Sequence, residues 1–243
     1  MSTPPLFFVD HLPRGERVQL TGEEARHAAR VRRVAVGEAV LVADGLGAVA
    51  DCDVLAIADS TVELAVRDWR TVPLPDPLLV VAQAPAKGDR AELAVELMTE
   101  LGVDEVVPWT AERAVVKWRD GRDVRALERW RRSAREAAKQ SRRPRVPIVA
   151  DPMTTGQLVE RFATDRILVL HEQGDDRLAA TPLPQHGALV LVVGPEGGVS
   201  DAELAQFTAG GAVAVRLGDQ VLRTSTAGAA ALAAVSLRLG RWG

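Results

Sequence analysis

The amino-acid sequence predicts an α/β protein in two parts, a small β-barrel followed by a mostly parallel sheet layered with helices. Three observations carry that expectation. Roughly the first 70 residues hold short β-type runs punctuated by Gly and Asp. Three prolines then fall within five residues, from Pro73 to Pro77. Beyond them, apolar runs without two-residue alternation take turns with helical patterns. Strands apolar on both faces must be covered on both faces, which is the arrangement of a parallel sheet between helices. The prolines make a stiff linker, so the expected domains are 1–72 and 73–243.

In chain order, RVQL, AVLVAD, GAVADCDVLAIA and STVELAVRDWR read as strands of the first part. Its single helical patch, GEEARHAARVRRV, carries Arg26, His27, Arg30, Arg32 and Arg33. In the second part LLVVAQA, VDEVVPW, RILVLH, ALVLVVG and AVAVRLG read as buried strands. Between the first two of these, GDRAELAVELMTELG reads as a helix. Asp89 and Glu92 stand at capping-box spacing, Leu93, Leu97 and Leu101 share a face, and Gly102 ends it. Residues 124–140 place Val124, Leu127, Trp130, Ala134, Ala137 and Ala138 at helical spacing, with most basic side chains on the other face. SRRPRVP then breaks that helix.

Composition narrows the function. One cysteine, Cys52, excludes an internal disulfide and a cysteine-rich metal site, and reads as a small apolar strand residue. His11, His27 and His186 have no partners at metal-ligand spacing, so no metal is expected. The N-terminus lacks the basic-then-apolar order of a signal peptide. TAGAAALAAVSLRL falls short of the roughly 20 residues of a membrane span, so a cytoplasmic protein without a membrane partner is expected. The net charge is -3, yet residues 113–145 hold 13 basic and 4 acidic residues, a local +9 that leaves -12 elsewhere. A basic block on an acidic body points to a polyanion met on one face, although a solvated helix face accounts for the same charges.

The stretch LVLVVGPEGGVSDAEL combines a strand, a glycine loop and a helix opened by Ser200 and Glu203 at capping-box spacing. Its glycines match neither the dinucleotide fingerprint nor the Walker loop. Glu196 would place a carboxylate where a phosphate should sit at a helix N-terminus. Taken alone, the loop serves equally as a tight structural turn. A second loop, VRLGDQVLRTSTAGAAAL, repeats the design: a strand ends at Leu217 and Gly218, Arg223, Thr224, Ser225 and Thr226 follow, and a small-residue helix begins. Ligands of open α/β sheets bind beyond the carboxyl ends of strands, so the two loops could close around one molecule.

These two loops, with ERWRRSAREAAKQSRRPRVP, KGDRAELAVELMTELGVDEVVPW and HAARVRRVAVGE, resemble the bacterial uridine N3-methyltransferases of 16S ribosomal RNA, the RsmE family of the SPOUT class, over nearly the whole chain. The resemblance implies a PUA-like barrel that helps hold RNA and a SPOUT domain tied in a deep trefoil knot, which no periodicity foretells. It also implies a homodimer, S-adenosylmethionine as cofactor, and 16S ribosomal RNA of the small ribosomal subunit as partner. The small-residue helix after Thr226 suits a partner chain and packing within one chain equally well.

Carried onto this chain, the cofactor contacts of the family fall at Leu170 and His171, at Gly194, Glu196 and Gly198, and along Leu217, Gly218, Val221, Leu222, Arg223 and Thr226. For His171 a structural role at a strand end is the competing reading. Arg223 is the candidate catalytic cation, since uridine N3 must lose a proton and the resulting anion needs stabilising; a phosphate clamp is its other reading. Where the family usually has Leu-Arg-x-Glu-Thr-Ala, this chain has Ser225 in place of the glutamate. A hydroxyl is no base at neutral pH, so Glu172 or Glu196 would have to substitute. Arg129, Arg132, Arg135, Lys139, Arg142 and Arg143 are the candidates for the RNA backbone, with Arg30, Arg32 and Arg33 as a second contact. Two alternatives stand beside this reading: an RNA-binding protein inactivated by the serine, and a knotted methyltransferase acting at another RNA position.

Overall fold

The structure, a computed structural model, describes residues 4–115 and 122–242, so residues 116–121 of the basic block lie outside it. Two compact units divide the chain: Met1–Leu74 with Ala138–Val146, and Pro75–Ala137 with Pro147–Gly243. The first unit thus takes in residues 138–146, which a linear division into 1–72 and 73–243 gives to the second.

The first unit is a five-stranded sheet of β1 (Leu6–Phe8), β2 (Arg17–Thr21), β3 (Ala39–Ala43), β4 (Ala48–Ile57) and β5 (Thr61–Thr71), in the order β1-β3-β4-β5-β2. Only β1 and β3 run parallel; the other neighbours are antiparallel. With β1 and β2 at its two edges the sheet is a half-barrel, the form that the expected small barrel takes. Strand β1 is three residues long, too short to show a period. Alternate residues point inward, so Val18, Leu20, Val42, Cys52 and Leu64 share a core with Phe7. Helix α1 (Gly22–Arg26) runs on into a π-helical turn at His27–Arg32, which stops at Arg33 in the left-handed region, φ 52°. Ala25 and Ala28 are buried, leaving Arg30, Arg32 and Arg33 exposed.

The second unit is a parallel sheet of β6 (Leu78–Gln83), β7 (Glu105–Pro108), β8 (Ile148–Val149), β9 (Arg166–Leu170), β10 (Asp176–Arg177), β11 (Ala188–Val193) and β12 (Val213–Arg216). The order is β10-β12-β9-β11-β6-β7-β8, and central β11 is buried at every residue, as its unbroken apolar run requires. The helices are α2 (Arg90–Glu100), α3 (Arg122–Gln140), α4 (Thr155–Arg161), α5 (Asp201–Ala209) and α6 (Thr224–Arg238). Leu158 and Phe162 of α4 and its following turn, with Phe207 of α5, pack on Val80, Val169, Val190 and Val192. Trp109 meets the Phe207 ring edge-on at 5.5 Å. Gly228 of α6 faces Met98 of α2, Gln83 and Val193, residues of opposite strand parity, so α2 and α6 cover the other face.

Two helices depart from expectation in detail. Asp89 makes no side-chain cap bond at the start of α2, its backbone being helical at φ -65° and ψ -5° where a capping residue is extended, and Glu92 pairs instead with Arg129 at 2.6 Å. The buried face of α2 is Ala94, Val95, Met98 and Thr99, where α6 lies against it, and Leu93 is 43% exposed. On α3 the residues Leu127, Trp130, Ala134, Ala137 and Ala138 are buried as their spacing predicts, while Val124 in the first turn is exposed.

The connections that follow β9 and β12 cross. The loop 171–187 leaves β9, runs out to β10 beyond β12, and returns to β11. The chain leaving β12 goes the opposite way, into α6, which packs on α2, β11 and β6. Near the end of α6, Arg238 donates to the carbonyls of Leu178 and Thr181 at 2.7 and 2.8 Å, fastening that loop to the helix. Such a crossing is what the knot implied by the resemblance needs. Among the described residues no helix is long and apolar enough to cross a membrane.

Candidate active site

Because all seven strands of the second unit are parallel, their carboxyl ends gather at one edge, where ligands of such sheets bind. A cleft of about 670 Å³ opens there, within the range of small-molecule sites. Five strands supply its wall through the segments that follow them. The residue after β6 is Arg90 and that after β7 is Arg113; β9 leads to Leu170–Gln173, β11 to Val193–Val199 with Asp201, and β12 to Arg216–Ser225 with Ala227. Of the cofactor candidates Leu170, His171, Gly194, Glu196, Gly198, Leu217, Gly218, Val221, Leu222 and Arg223 line this one cleft. Thr226 does not: α6 has begun at Thr224, and its first turn carries Thr226 out to solvent.

Local chemistry shapes the glycine loop. Gly198 has a φ of +75°, open to glycine at no steric cost, and donates to the Pro195 carbonyl at 2.9 Å to close the turn. A Cβ on Gly197 would lie 3.1 Å from both Cβ and the carbonyl oxygen of Arg113, so the two backbones approach closely. Ser200 and Glu203 form the expected capping box. Nearly buried Glu203 also accepts the Glu112 N–H at 2.8 Å, which ties the turn after β7 to the start of α5. Glu196 accepts the Lys87 N–H at 3.2 Å, so one of its oxygens steadies the segment after β6.

The second loop is pinned from behind. Gln83, buried at the end of β6, donates to the carbonyls of Ala84 and Thr224 at 2.8 and 3.3 Å. That fixes the first turn of α6 beside Arg223 and buried Ser225. His171 Nδ1 accepts the Gln173 N–H at 3.2 Å, and its backbone N–H donates to Val215 at 3.0 Å, so His171 shapes its own turn. Glu172 is exposed on the cleft. Arg90, Arg113, Arg216 and Arg223 all reach the cleft, and none pairs with a carboxylate among the described residues.

Sequence reasoning missed Arg90, Arg113 and Gln83. Arg113 opens the basic block and was legible only as charge; Gln83 sits inside an apolar strand run with nothing beside it to mark a task.

The basic residues divide by what holds them. Lys139 lies 2.6 Å from Glu24 with its side chain 10% exposed, over the Phe7 ring at 5.9 Å; it anchors residues 138–146 within the first unit. Arg129 is taken by Glu92, and Arg135 and Arg143 are also engaged. Arg132 is exposed, Arg142 is half-buried, and Arg30, Arg32 and Arg33 are exposed on the first unit. No group of three or more His, Cys, Asp or Glu that would hold a metal ion occurs among the described residues.

Comparison with known proteins bears on this geometry. A family model described as an RNA methyltransferase domain matches residues 73–236, and one described as an RNA methyltransferase PUA domain matches residues 20–66. The ribosomal RNA small subunit methyltransferase E of Mycobacterium bovis is 45% identical over 98% of this chain and 93% of its own. Its Bacillus subtilis counterpart is 34% identical over 89% of this chain and 88% of its own. Among solved structures, that of a ribosomal RNA small subunit methyltransferase E from Neisseria gonorrhoeae bound to S-adenosyl methionine superposes with a TM-score of 0.86 at 29% identity, over 97% of this chain and 98% of its own. A half-barrel PUA-like unit and a parallel-sheet unit are thus shared along nearly the whole length, and the chain belongs to the ribosomal RNA small subunit methyltransferase E family.

Proposed function

We infer that the chain methylates small-subunit ribosomal RNA with S-adenosylmethionine, and that the methyl goes to N3 of a uridine in 16S RNA. The observation that carries the reading is the meeting of the two glycine-bearing loops in one cleft rimmed by four arginines that have no carboxylate partner among the described residues. The residues present fit the cofactor. Gly194 and Gly197 carry no side chain in tightly packed positions and so offer bare backbone; Leu217, Val221 and Leu222 supply apolar wall. Neither Walker nor dinucleotide spacing is present for a phosphate, and carboxylates at Glu172 and Glu196 suit a positively charged ligand. We assign the hold on it to Leu170, His171, Gly194, Glu196, Gly198, Leu217, Gly218, Val221 and Leu222.

Bound there, S-adenosylmethionine supplies an electrophilic methyl on a sulfonium. The chain's own work is to align the uracil, exclude water and favour the deprotonated ring. Arg223, beside the turn that Gln83 steadies, stabilises the negative charge that develops on the uracil oxygens. Buried Ser225 cannot take the N3 proton. Glu172, exposed on the cleft, is the better base, because one oxygen of Glu196 already holds the Lys87 N–H. Phosphates of the RNA meet Arg132 and Arg142 of the second and first units and Arg30, Arg32 and Arg33 of the first. We also place the protein in the cytoplasm as a homodimer. The small-residue face of α6 is spent on α2 within the chain, whereas Leu237 and Trp242 near the C-terminus are 67% and 43% exposed and are free for a partner copy.

Incubating the purified chain with labelled cofactor and unmodified small subunits, then identifying the nucleoside by mass spectrometry, tests the assignment. N3-methyluridine is expected. RNA binding without methyl incorporation would make the serine change inactivating, and a ribose-methyl product would move the reaction to another atom. Sedimentation at low concentration tests the dimer, which a stable, fully active monomer would refute.

A further inference from the structure

Arg113 stands where three constraints meet. Its neighbours Ala111 and Ala114 are buried in the same core cluster as Trp109 and Val199. The turn is tied to α5 through the Glu112 N–H and the nearly buried Glu203 carboxylate. Its Nη1 points at the carbonyls of Gly197 and Val199 at 3.5 and 3.4 Å. Those long bonds use one nitrogen of three. The side-on edge, Nε with Nη2, has no protein partner among the described residues, and the side chain lines the mouth of the cleft. A guanidinium edge with two parallel donors and no carboxylate is built for a bidentate oxyanion. Arg113 is also the first residue of the segment 113–145, whose local charge is +9.

Resting on the methyltransferase reading above, we propose that Arg113 grips a backbone phosphate of the target RNA at the mouth of the cleft. We place its position under the control of the cofactor loop, so that RNA and methyl donor bind with positive coupling. The coupling follows from contact: the turn and the loop approach so closely at Gly197 that an added Cβ would stand 3.1 Å from both Cβ and the carbonyl oxygen of Arg113. A ligand that orders 194–199 therefore orders the arginine. The guanidinium would otherwise be set by two weak bonds alone, and ordering it in advance removes part of the entropy that RNA binding would have to supply.

The test is a fluorescence-anisotropy titration of an unmodified small-subunit RNA fragment, with and without S-adenosylhomocysteine, which cannot transfer a methyl. For the unaltered chain the added nucleoside should tighten RNA binding about fivefold or more. Arg113→Ala should remove that dependence and lower the slope of log affinity against log salt by about 0.7, one phosphate contact on single-stranded RNA. Arg113→Lys should keep the slope, because it keeps the charge, and lose part of the affinity with the fork. Calorimetry should find S-adenosylhomocysteine binding without RNA unchanged in Arg113→Ala; a marked loss there would show that the group holds the cofactor's carboxylate, and would overturn the proposal. An unchanged salt slope in a folded Arg113→Ala would overturn it too. If the unaltered chain transfers methyl but shows no coupling, this proposal falls and the enzyme assignment stands. If it binds neither RNA nor cofactor, both fall.

Discussion

Replacing Gly174 by alanine probes how tightly the cleft wall is built. Gly174 closes the turn after β9, donating to the His171 carbonyl at 3.1 Å. An alanine Cβ there would stand 2.8 Å from the Val215 carbonyl carbon and 3.0 Å from both Arg216 N and Val215 Cα. Ordinary carbon contacts are about 3.5–4.0 Å, and all three atoms are backbone. Strand β12 cannot yield, because β9 holds it on one side and β10 on the other. The turn must move instead, and with it the cleft residues His171, Glu172 and Gln173. Overpacking of this kind costs about 1–3 kcal/mol. Alanine recovers about 0.4–1 kcal/mol by restricting the unfolded chain. The net is about 1–2 kcal/mol, which lowers Tm by about 2–8 °C for a domain of this size, and cofactor affinity should fall with the displaced wall. Gly218→Ala is the companion variant: its Cβ would meet nothing nearer than Gln220 Oε1 at 3.5 Å, so the restricted unfolded chain goes unopposed and its Tm should rise by about 1–4 °C. Differential scanning fluorimetry and calorimetry measure both quantities. A Gly174→Ala protein that melts at or above the unaltered chain and binds cofactor as well would refute the steric reasoning.

Three further outcomes are expected. Lys139→Met breaks a largely buried ion pair and should cost about 1–3 kcal/mol, below the usual 3–5 for a fully buried pair because Glu24 keeps 22% of its side-chain surface. It should leave the salt dependence of RNA binding alone, whereas Arg132→Ala should flatten that dependence without altering Tm; the reverse pattern would show that Lys139 is an RNA contact after all. Burial, and next the charge of Asp51, push the Cys52 thiol up to about 11, so a thiol reagent at pH 8 should label it only after denaturant is added. The His186 hydrogen bond, with a smaller contribution from the Gly187 N–H, holds the Asp76 carboxyl below its ordinary 3.8. A depressed carboxyl stabilises the fold above its ordinary value, and that stabilisation is lost as pH falls through the folded-state value. Asp76→Asn should therefore be less stable than the unaltered chain at pH 6, and chemical denaturation should find the gap closing below pH 3.8; a gap that persisted would assign Asp76 a role independent of its charge.

Where a local rule was strong, sequence and structure agree. The unbroken apolar run of β11 demanded cover on both faces and lies at the centre of the sheet. Ser200 and Glu203 were legible as a cap because the bond they make spans three residues. Asp89 and Glu92 have the same spacing and make no cap: Asp89 takes helical dihedrals and Glu92 pairs with an arginine 37 residues away in sequence. Lys139 shows the same limit. From its helix face it reads as another cation for RNA, but Glu24 and Phe7, more than 100 residues earlier in the chain, enclose it.

By itself the sequence determined the two-part plan, the parallel character of the second sheet and both glycine loops, since each rests on periodicity or turn chemistry within a few residues. The tertiary structure alone decided that those loops meet in one cleft, that Arg90 and Arg113 join its wall, and that Thr226 stays outside. Strand order and the crossing of the last two connections bring distant segments together there, and long-range placement of that kind is set by the packing of the whole unit, to which no local stretch of residues gives access.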